Sequence, residues 1–342
     1  MNKQKIPTTL VTGFLGSGKT TLLSSVLKQA TGRRVAVVVS VPLESSIDSE
    51  ILRGTDFDAV EDVQRLPLGN RIYKLSNGNL CCAVQHDFTH MMKELAQRSD
   101  DIDHVMIETP GTVLPISFIR RLNSDDLVDH FTIDSVITVA DGPALSEGRY
   151  SSTSGRIGKV IDPDLQFLYQ AQLDIADVVL ISKTDLVFSV IRKKLPEKLR
   201  ALLSHDPEII TMQHGLVNPD LLFNRDCSSN KKVGIDKIQI DEDQVSNGFD
   251  SVMIEMGCVD SDLLVSRLQM LIREQDVYRT KGFAELPNKM MRQVVQGVGS
   301  RIDRSYDRRW AEGEVRSTRL QIIGRHLDAE RLKATLRVAE VS

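Results

Sequence analysis

Thr8-Thr9-Leu10-Val11-Thr12-Gly13-Phe14-Leu15-Gly16-Ser17-Gly18-Lys19-Thr20-Thr21-Leu22-Leu23 is the stretch that decides the fold. Residues Gly13 to Thr20 fit G-x-x-x-x-G-K-[ST]. An apolar, β-branched run leads into them, and Thr21 to Leu27 leads out with helical spacing. Strand, glycine loop and helix in that order predict a phosphate-binding loop rather than a fortuitous glycine-rich turn. Glycines at Gly13, Gly16 and Gly18 let the backbone wrap a phosphate, with Ser17 among the residues that present N–H groups. Lys19 would reach the terminal phosphates, and Thr20 would hold Mg²⁺. Thr21 would join them in the first turn of a helix whose N-terminus favours the anion.

Outward from that loop, the chain alternates strand-like and helix-like segments. Strands are predicted at Thr8–Thr12, Val35–Ser40, Val105–Glu108, Ser135–Ala140 and Val178–Ser182, each a short run rich in Val and Ile. Such runs fit strands covered on both faces of a mainly parallel, doubly wound α/β sheet. Helices are predicted to start at Lys19, Asp87, Leu165 and Pro196. Composition turns polar between Asn224 and Gly248, which reads as a linker and divides the chain into domains at 1–223 and 249–342. Beyond the linker, strands are predicted at Phe249–Met256 and near Tyr278–Leu286, Met291–Val298 and Arg319–Ile323. Helices are predicted at Asp260–Asp276 and Ala329–Val338. The order β-α-β-β-β-α predicts a small α+β second domain. Gly297-Val298-Gly299-Ser300-Arg301-Ile302 lacks the last glycine of a dinucleotide fingerprint and opens no helix, so it is read as a turn.

At 342 residues, two domains are the default. Hydrophobic content of 41% and charged content of 26% are those of a globular protein. A net charge of −4 provides no basic field for nucleic acid. No stretch is long and apolar enough to cross a bilayer, and the N-terminal residues lack the apolar core of a secretory signal. Four cysteines, with Cys81 and Cys82 adjacent, make no disulfide framework. A cytoplasmic protein is expected, with neither nucleic acid nor membrane as partner.

Motifs at the carboxyl ends of the strands carry the chemistry, because ligands of open α/β sheets gather there. Val105-Met106-Ile107 runs into Glu108-Thr109-Pro110-Gly111. A carboxylate at Glu108 can support Mg²⁺ through its water shell, and Gly111 can offer its N–H to the γ-phosphate. The strand at Val178 runs into Ser182-Lys183-Thr184-Asp185, similar to the guanine-reading Asn-Lys-x-Asp. Asp185 could accept from guanine N1–H and its amine, with the Lys183 stem along the base; Ser182 replaces the usual Asn. Asn77-Gly78-Asn79-Leu80-Cys81-Cys82 offers two thiolates to a soft metal, with His86 and His90 one helical turn apart nearby. Buried small residues and exposed histidines are the plain alternative.

The phosphate loop resembles that of the CobW-type GTPases, relatives of the nickel-inserting HypB and UreG proteins. The resemblance extends through Asn77–Cys82, His104–Thr109 and Val139-Ala140-Asp141-Gly142-Pro143-Ala144. It resumes at Lys281-Gly282-Phe283, Val294–Gly299 and Ile323–Leu327. It implies a P-loop GTPase domain followed by a CobW C-terminal domain, closest to the cobalamin-biosynthesis branch. It implies slow GTP hydrolysis with Mg²⁺, Lys19 and Glu108 being the catalytic candidates. It also implies delivery of Co²⁺ or Zn²⁺, carried by Cys81 and Cys82, to a client such as a cobaltochelatase, and a nucleotide-dependent dimer. Three departures stand against full carry-over. Asn79 occupies the first position of the family's Cys-x-Cys-Cys. Val41 stands where the family has a carboxylate, with Glu44 and Asp48 nearby. The linker has no histidine between His214 and His326. A GTP-dependent regulatory or scaffold protein without metal is therefore the rival reading.

Overall fold

A computed structural model describes residues 5–29, 32–41, 71–76, 83–149, 162–223, 225 and 248–341. The chain divides into two compact units, and among the described residues the second takes up everything from Gly248 onward. Most of the expected linker lies outside the described residues.

The first unit is built on a seven-stranded sheet, all its pairings parallel. Its strands are β1 (Ile6–Thr12), β2 (Val35–Val41), β3 (Arg71–Ser76), β4 (His104–Glu108), β5 (Phe131–Asp141), β6 (Val178–Ser182) and β7 (Glu208–Thr211). Their order is β3-β2-β4-β1-β5-β6-β7. The chain builds one side of β1 with β2, β3 and β4, then crosses to the other with β5, β6 and β7. The carboxyl end of β1 is thus the topological switch point, where ligands of such sheets bind. Strands β4 and β6 are buried along their whole length, in keeping with their apolar runs Val105-Met106-Ile107 and Val178-Val179-Leu180-Ile181. Helix α1 (Lys19–Gln29) buries Leu22, Leu23, Val26 and Leu27, a one-faced stripe at helical spacing.

The five expected strands are all present, with β5 longer than expected. Two further strands, β3 and β7, went unforeseen. Both are edges of the sheet, and both carry polar or charged residues among the apolar ones, so no apolar run marks them. The helix expected at Asp87 begins at Ala83, that expected at Leu165 begins at Pro163 after its cap Asp162, and that expected at Pro196 begins at Leu195. Helices Pro115–Leu122 and Gly142–Glu147 were also not foreseen.

At the amino end of β4, an interior strand between β2 and β1, His104 is buried. Its Nε2 lies 2.8 Å from Thr9 Oγ1, and its ring meets Phe223 edge-on at 4.8 Å. Burial drives the imidazole pKa down to about 4, with Arg33 pushing the same way and Asp134 opposing.

The second unit is a five-stranded antiparallel sheet of β8 (Asp250–Met256), β9 (Asp276–Ala284), β10 (Met291–Val298), β11 (Arg301–Arg309) and β12 (Thr318–Arg325), ordered β11-β10-β9-β12-β8. Helices Ser261–Glu274 and Ala329–Arg337 pack with it, Leu264, Leu268, Leu271, Leu332 and Leu336 joining Ile254, Leu320 and Ile322 in one core. Each helix is capped by an aspartate, Asp260 accepting from Leu263 N and Asp328 from Arg331 N. The observed order is β-α-β-β-β-β-α, which corrects the expected one by β11. That edge strand is polar in sequence, so alternation alone does not reveal it. The Gly297–Ile302 segment is the β10–β11 hairpin, with Gly299 at a φ of 55° in its tip.

Candidate functional site

Strand registers bring the site together. Val11 pairs with Glu108 and Thr12 with Thr138, so β1 and β4 end nearly level, while β5 and β6 run on together to the Asp141–Ser182 pair, three residues beyond Thr138 on the same side of the sheet. The loop after β1 folds as the glycines demand. Gly13 has a φ of 133°, and a Cβ there would stand 2.3 Å from Val139 O, a clash no side chain could escape. Gly16 and Gly18 also have positive φ, at 71° and 105°. Ser17 N donates to Phe14 O, and Lys19 Nζ turns back over the loop to Gly13 O at 2.8 Å and Phe14 O at 3.3 Å. Ser17 is buried, yet its Oγ has no hydrogen-bond partner. A buried hydroxyl left unsatisfied is costly, so the loop is shaped for an acceptor-rich ligand.

Beside the loop, Thr20 Oγ1 donates to Glu108, 2.9 Å from Oε1 and 3.1 Å from Oε2. Hydroxyl and carboxylate are the hard oxygen donors that a divalent cation such as Mg²⁺ takes. Gly111 follows at close quarters. A Cβ on it would lie 2.7 Å from Leu15 N, so only glycine lets this backbone abut the phosphate loop. Thr21 is exposed on α1, its methyl group facing Gly215.

The Ser182–Asp185 segment is tied to the same loop. Ser182 Oγ donates to Ser17 O at 2.6 Å, with Ala140 O at 3.2 Å. Lys183, in the left-handed region at a φ of 53°, sends its ammonium to Gly16 O and to Asp141 Oδ2, the latter at 2.6 Å. The serine that departs from the guanine motif therefore has its own contact with the phosphate loop. Asp185 has one buried carboxylate oxygen, Oδ1, without a partner; the other lies 3.8 Å from His214 Nδ1.

Sequence reasoning missed Asp141 as a site residue, although a carboxylate at a strand end was a readable signal. It also missed the loop after β7, where His214 and Gly215 both have positive φ and which no apolar pattern announces. Cys81, Cys82, Asn79, Glu44 and Asp48 lie outside the described residues, as do the side chains of Val41 and His86. His90 is exposed and lies 3.6 Å from Glu94, one turn along its helix. Among the described residues no cluster of three or more His, Cys, Asp or Glu could hold a metal. No helix among them is long and apolar enough to cross a membrane.

A parallel sheet with a Gly13–Thr20 loop at its switch point defines a P-loop nucleoside-triphosphate-binding fold, followed here by a separate antiparallel domain. The chain belongs to the CobW/HypB/UreG family. It matches that family's nucleotide-binding domain over residues 7–209 and the cobalamin synthesis protein cobW C-terminal domain over residues 249–340. A Sinorhizobium protein named zinc chaperone CobW is 34% identical over 351 residues, covering 98% of this chain and 97% of its own. A zinc chaperone CobW of Pseudomonas aeruginosa is 35% identical over 347 residues, covering 98% and 92%. The crystal structure of Zn(II)-bound YjiA GTPase from E. coli covers 99% of this chain and 100% of its own at 22% identity, with a TM-score of 0.45.

Proposed function

We propose that this protein is a GTP-binding and GTP-hydrolysing metallochaperone, with a zinc or cobalt ion as cargo. The observation that carries the nucleotide half is the joining of Asp185, with its unpartnered buried oxygen, to the phosphate loop through Ser182 and Lys183. An orphaned carboxylate oxygen suits the N–H donors of guanine, which adenine does not offer in the same place. Gly13, Gly16, Ser17, Gly18, Lys19, Thr20 and Thr21 hold the phosphates in this reading, and Gly111 meets the γ-phosphate. Thr20 would ligate Mg²⁺, with Glu108 supporting it through water; the ion when bound supplies charge neutralisation at the phosphoryl oxygens. Lys19 does the same from the protein side. With no general base identified, hydrolysis rests on positioning and electrostatics, and is slow.

For the cargo, the relatives named zinc chaperones support zinc. Cobalt and a cobalamin-pathway client such as a cobaltochelatase are the second assignment, resting on the similarity to the CobW branch. Cys81 and Cys82 are the proposed ligands, in a cytoplasmic protein that dimerises with nucleotide. Asn79 and Val41 favour the rival, a GTP-controlled scaffold without metal. Stoichiometry and affinity of Zn²⁺ and Co²⁺ with and without Mg²⁺-GTP decide between them. A site tighter than about micromolar, lost in Cys81→Ala/Cys82→Ala, is expected; absence of any such site in both states overturns the chaperone reading. Competition between ATP and GTP tests Asp185 separately, equal affinity removing its role.

A further inference from the structure

Helix Pro163–Asp174 delivers one side chain into the nucleotide-binding unit that neither phosphate loop nor base motif contains. Gln172 is fully buried, and its Nε2 donates to the carbonyl of Gly111 at 3.1 Å. Thr138 Oγ1 on β5 donates to the Gln172 backbone carbonyl at 2.5 Å, which fixes the height at which the amide stands. Gln172 Oε1 has no hydrogen-bond partner. Leu or Met would fill similar space and bury no unpaired oxygen, so packing alone does not account for a glutamine here.

What the amide grips is a glycine. Gly111 has no side chain to restrict its backbone, so an anchor on its carbonyl limits how its N–H can turn. Its backbone also abuts Leu15 in the phosphate loop. Two residues earlier Thr109 is buried with its Oγ1 unsatisfied, so this loop holds a second polar atom lacking a partner.

We propose that Gln172 is a positioning residue that presents Gly111 to the γ-phosphate and thereby sets the preference for triphosphate over diphosphate. This rests on the nucleotide reading given above. A diphosphate does not extend to Gly111, so loss of the anchor penalises the triphosphate alone.

The test uses the full chain with Gln172→Met, which keeps length and loses the donor, and Gln172→Glu. Affinities for GDP and a non-hydrolysable GTP analogue are measured together with single-turnover hydrolysis. In Gln172→Met, triphosphate affinity and hydrolysis should each fall about tenfold while GDP affinity stays within about twofold. In Gln172→Glu the buried carboxyl has a raised pKa and donates only when protonated. Its triphosphate affinity should therefore recover toward wild type as pH is lowered from about 8 to 6.5, with no such recovery in Gln172→Met. Equal losses for both nucleotides, or a lower melting temperature with an unchanged ratio, would make Gln172 a packing residue and overturn the proposal. If Gln172→Met fails to fold, the pH profile of Gln172→Glu carries the test. A wild type that prefers ATP refutes the guanine reading, yet the ATP-to-ADP ratio still judges Gln172. A wild type that binds no nucleotide overturns both.

Discussion

The two sheets of this protein gather their buried polar groups in different places. In the parallel sheet, polar side chains collect at the carboxyl ends of β1, β4, β5 and β6, and several keep an unsatisfied atom, among them Ser17, Thr109 and Asp185. In the antiparallel sheet, the most deeply buried charge is satisfied from within. Arg292 is fully buried, paired with Asp307 and close to Glu314, with its guanidinium 4.4 Å above the Phe283 ring and 6.0 Å from Trp310. Glu314 in turn accepts from Arg308 at 2.6 and 2.7 Å and from Ala311 N. The Arg308 guanidinium, with help from Arg292, holds the Glu314 carboxyl down at about 2. Thr280 Oγ1 and Trp310 Nε1 in the second domain are also buried without partners, so it is the gathering of such atoms around the phosphate loop, and not any one of them, that sets the first unit apart.

That contrast is most open to attack at Arg292. Arg292→Ala removes the guanidinium that pairs with Asp307 in a largely buried site and should destabilise the second domain by about 3–5 kcal/mol. Trp310 is the single tryptophan of the chain. Its fluorescence in a denaturant titration therefore reports on this domain, and nucleotide affinity should stay within about twofold. Unchanged Trp310 unfolding would show that the buried pair does not support the domain.

Lys19→Ala makes the complementary cut. It should weaken GTP binding or hydrolysis by about 10²-fold or more and leave the Trp310 transition where it was. A nucleotide affinity close to wild type in a fluorescent-GTP titration would remove Lys19 from the site.

Acid should separate the two regions more gently. His104 has a folded pKa of about 4, below its ordinary 6.5. Its contribution is therefore present above pH 6.5 and is lost as pH falls toward 4, the unfolded chain binding the extra proton. The amount is about 3 kcal/mol at most. Glu314, depressed from 4.5 to about 2, loses its contribution only as pH falls from 4.5 toward 2. Hydrogen exchange should thus rise first in the nucleotide-binding unit, with Trp310 fluorescence native until lower pH. His104→Gln should flatten the first phase; a first phase of unchanged size in that variant would assign it to another group.

Legibility followed burial. The five interior strands of the parallel sheet each lie between neighbours on both sides, and their Val- and Ile-rich runs reveal them directly. The three strands that escaped, β3, β7 and β11, are all edges, where one side of the strand has no neighbour and polar residues interrupt the pattern. The site divided in the same manner. Lys19, Thr20, Glu108 and Gly111 stand in short motifs whose spacing states their chemistry. Asp141, His214 and Gln172 do not, because each meets its partner at a distance in sequence: Asp141 meets Lys183, His214 lies beside Asp185, and Gln172 bonds Gly111.

Sequence by itself therefore determined the phosphate loop, the α/β class, the second domain and the family. These depend on local backbone requirements and on apolar runs, which are written in consecutive residues. Only the tertiary structure decided that Ser182 ties to Ser17, that Lys183 bridges Gly16 and Asp141, and that Gln172 grips Gly111. Those contacts join residues separated by 42 to 167 positions for the lysine alone. Strand order and register bring such residues within hydrogen-bond distance, and no short window of sequence contains that information.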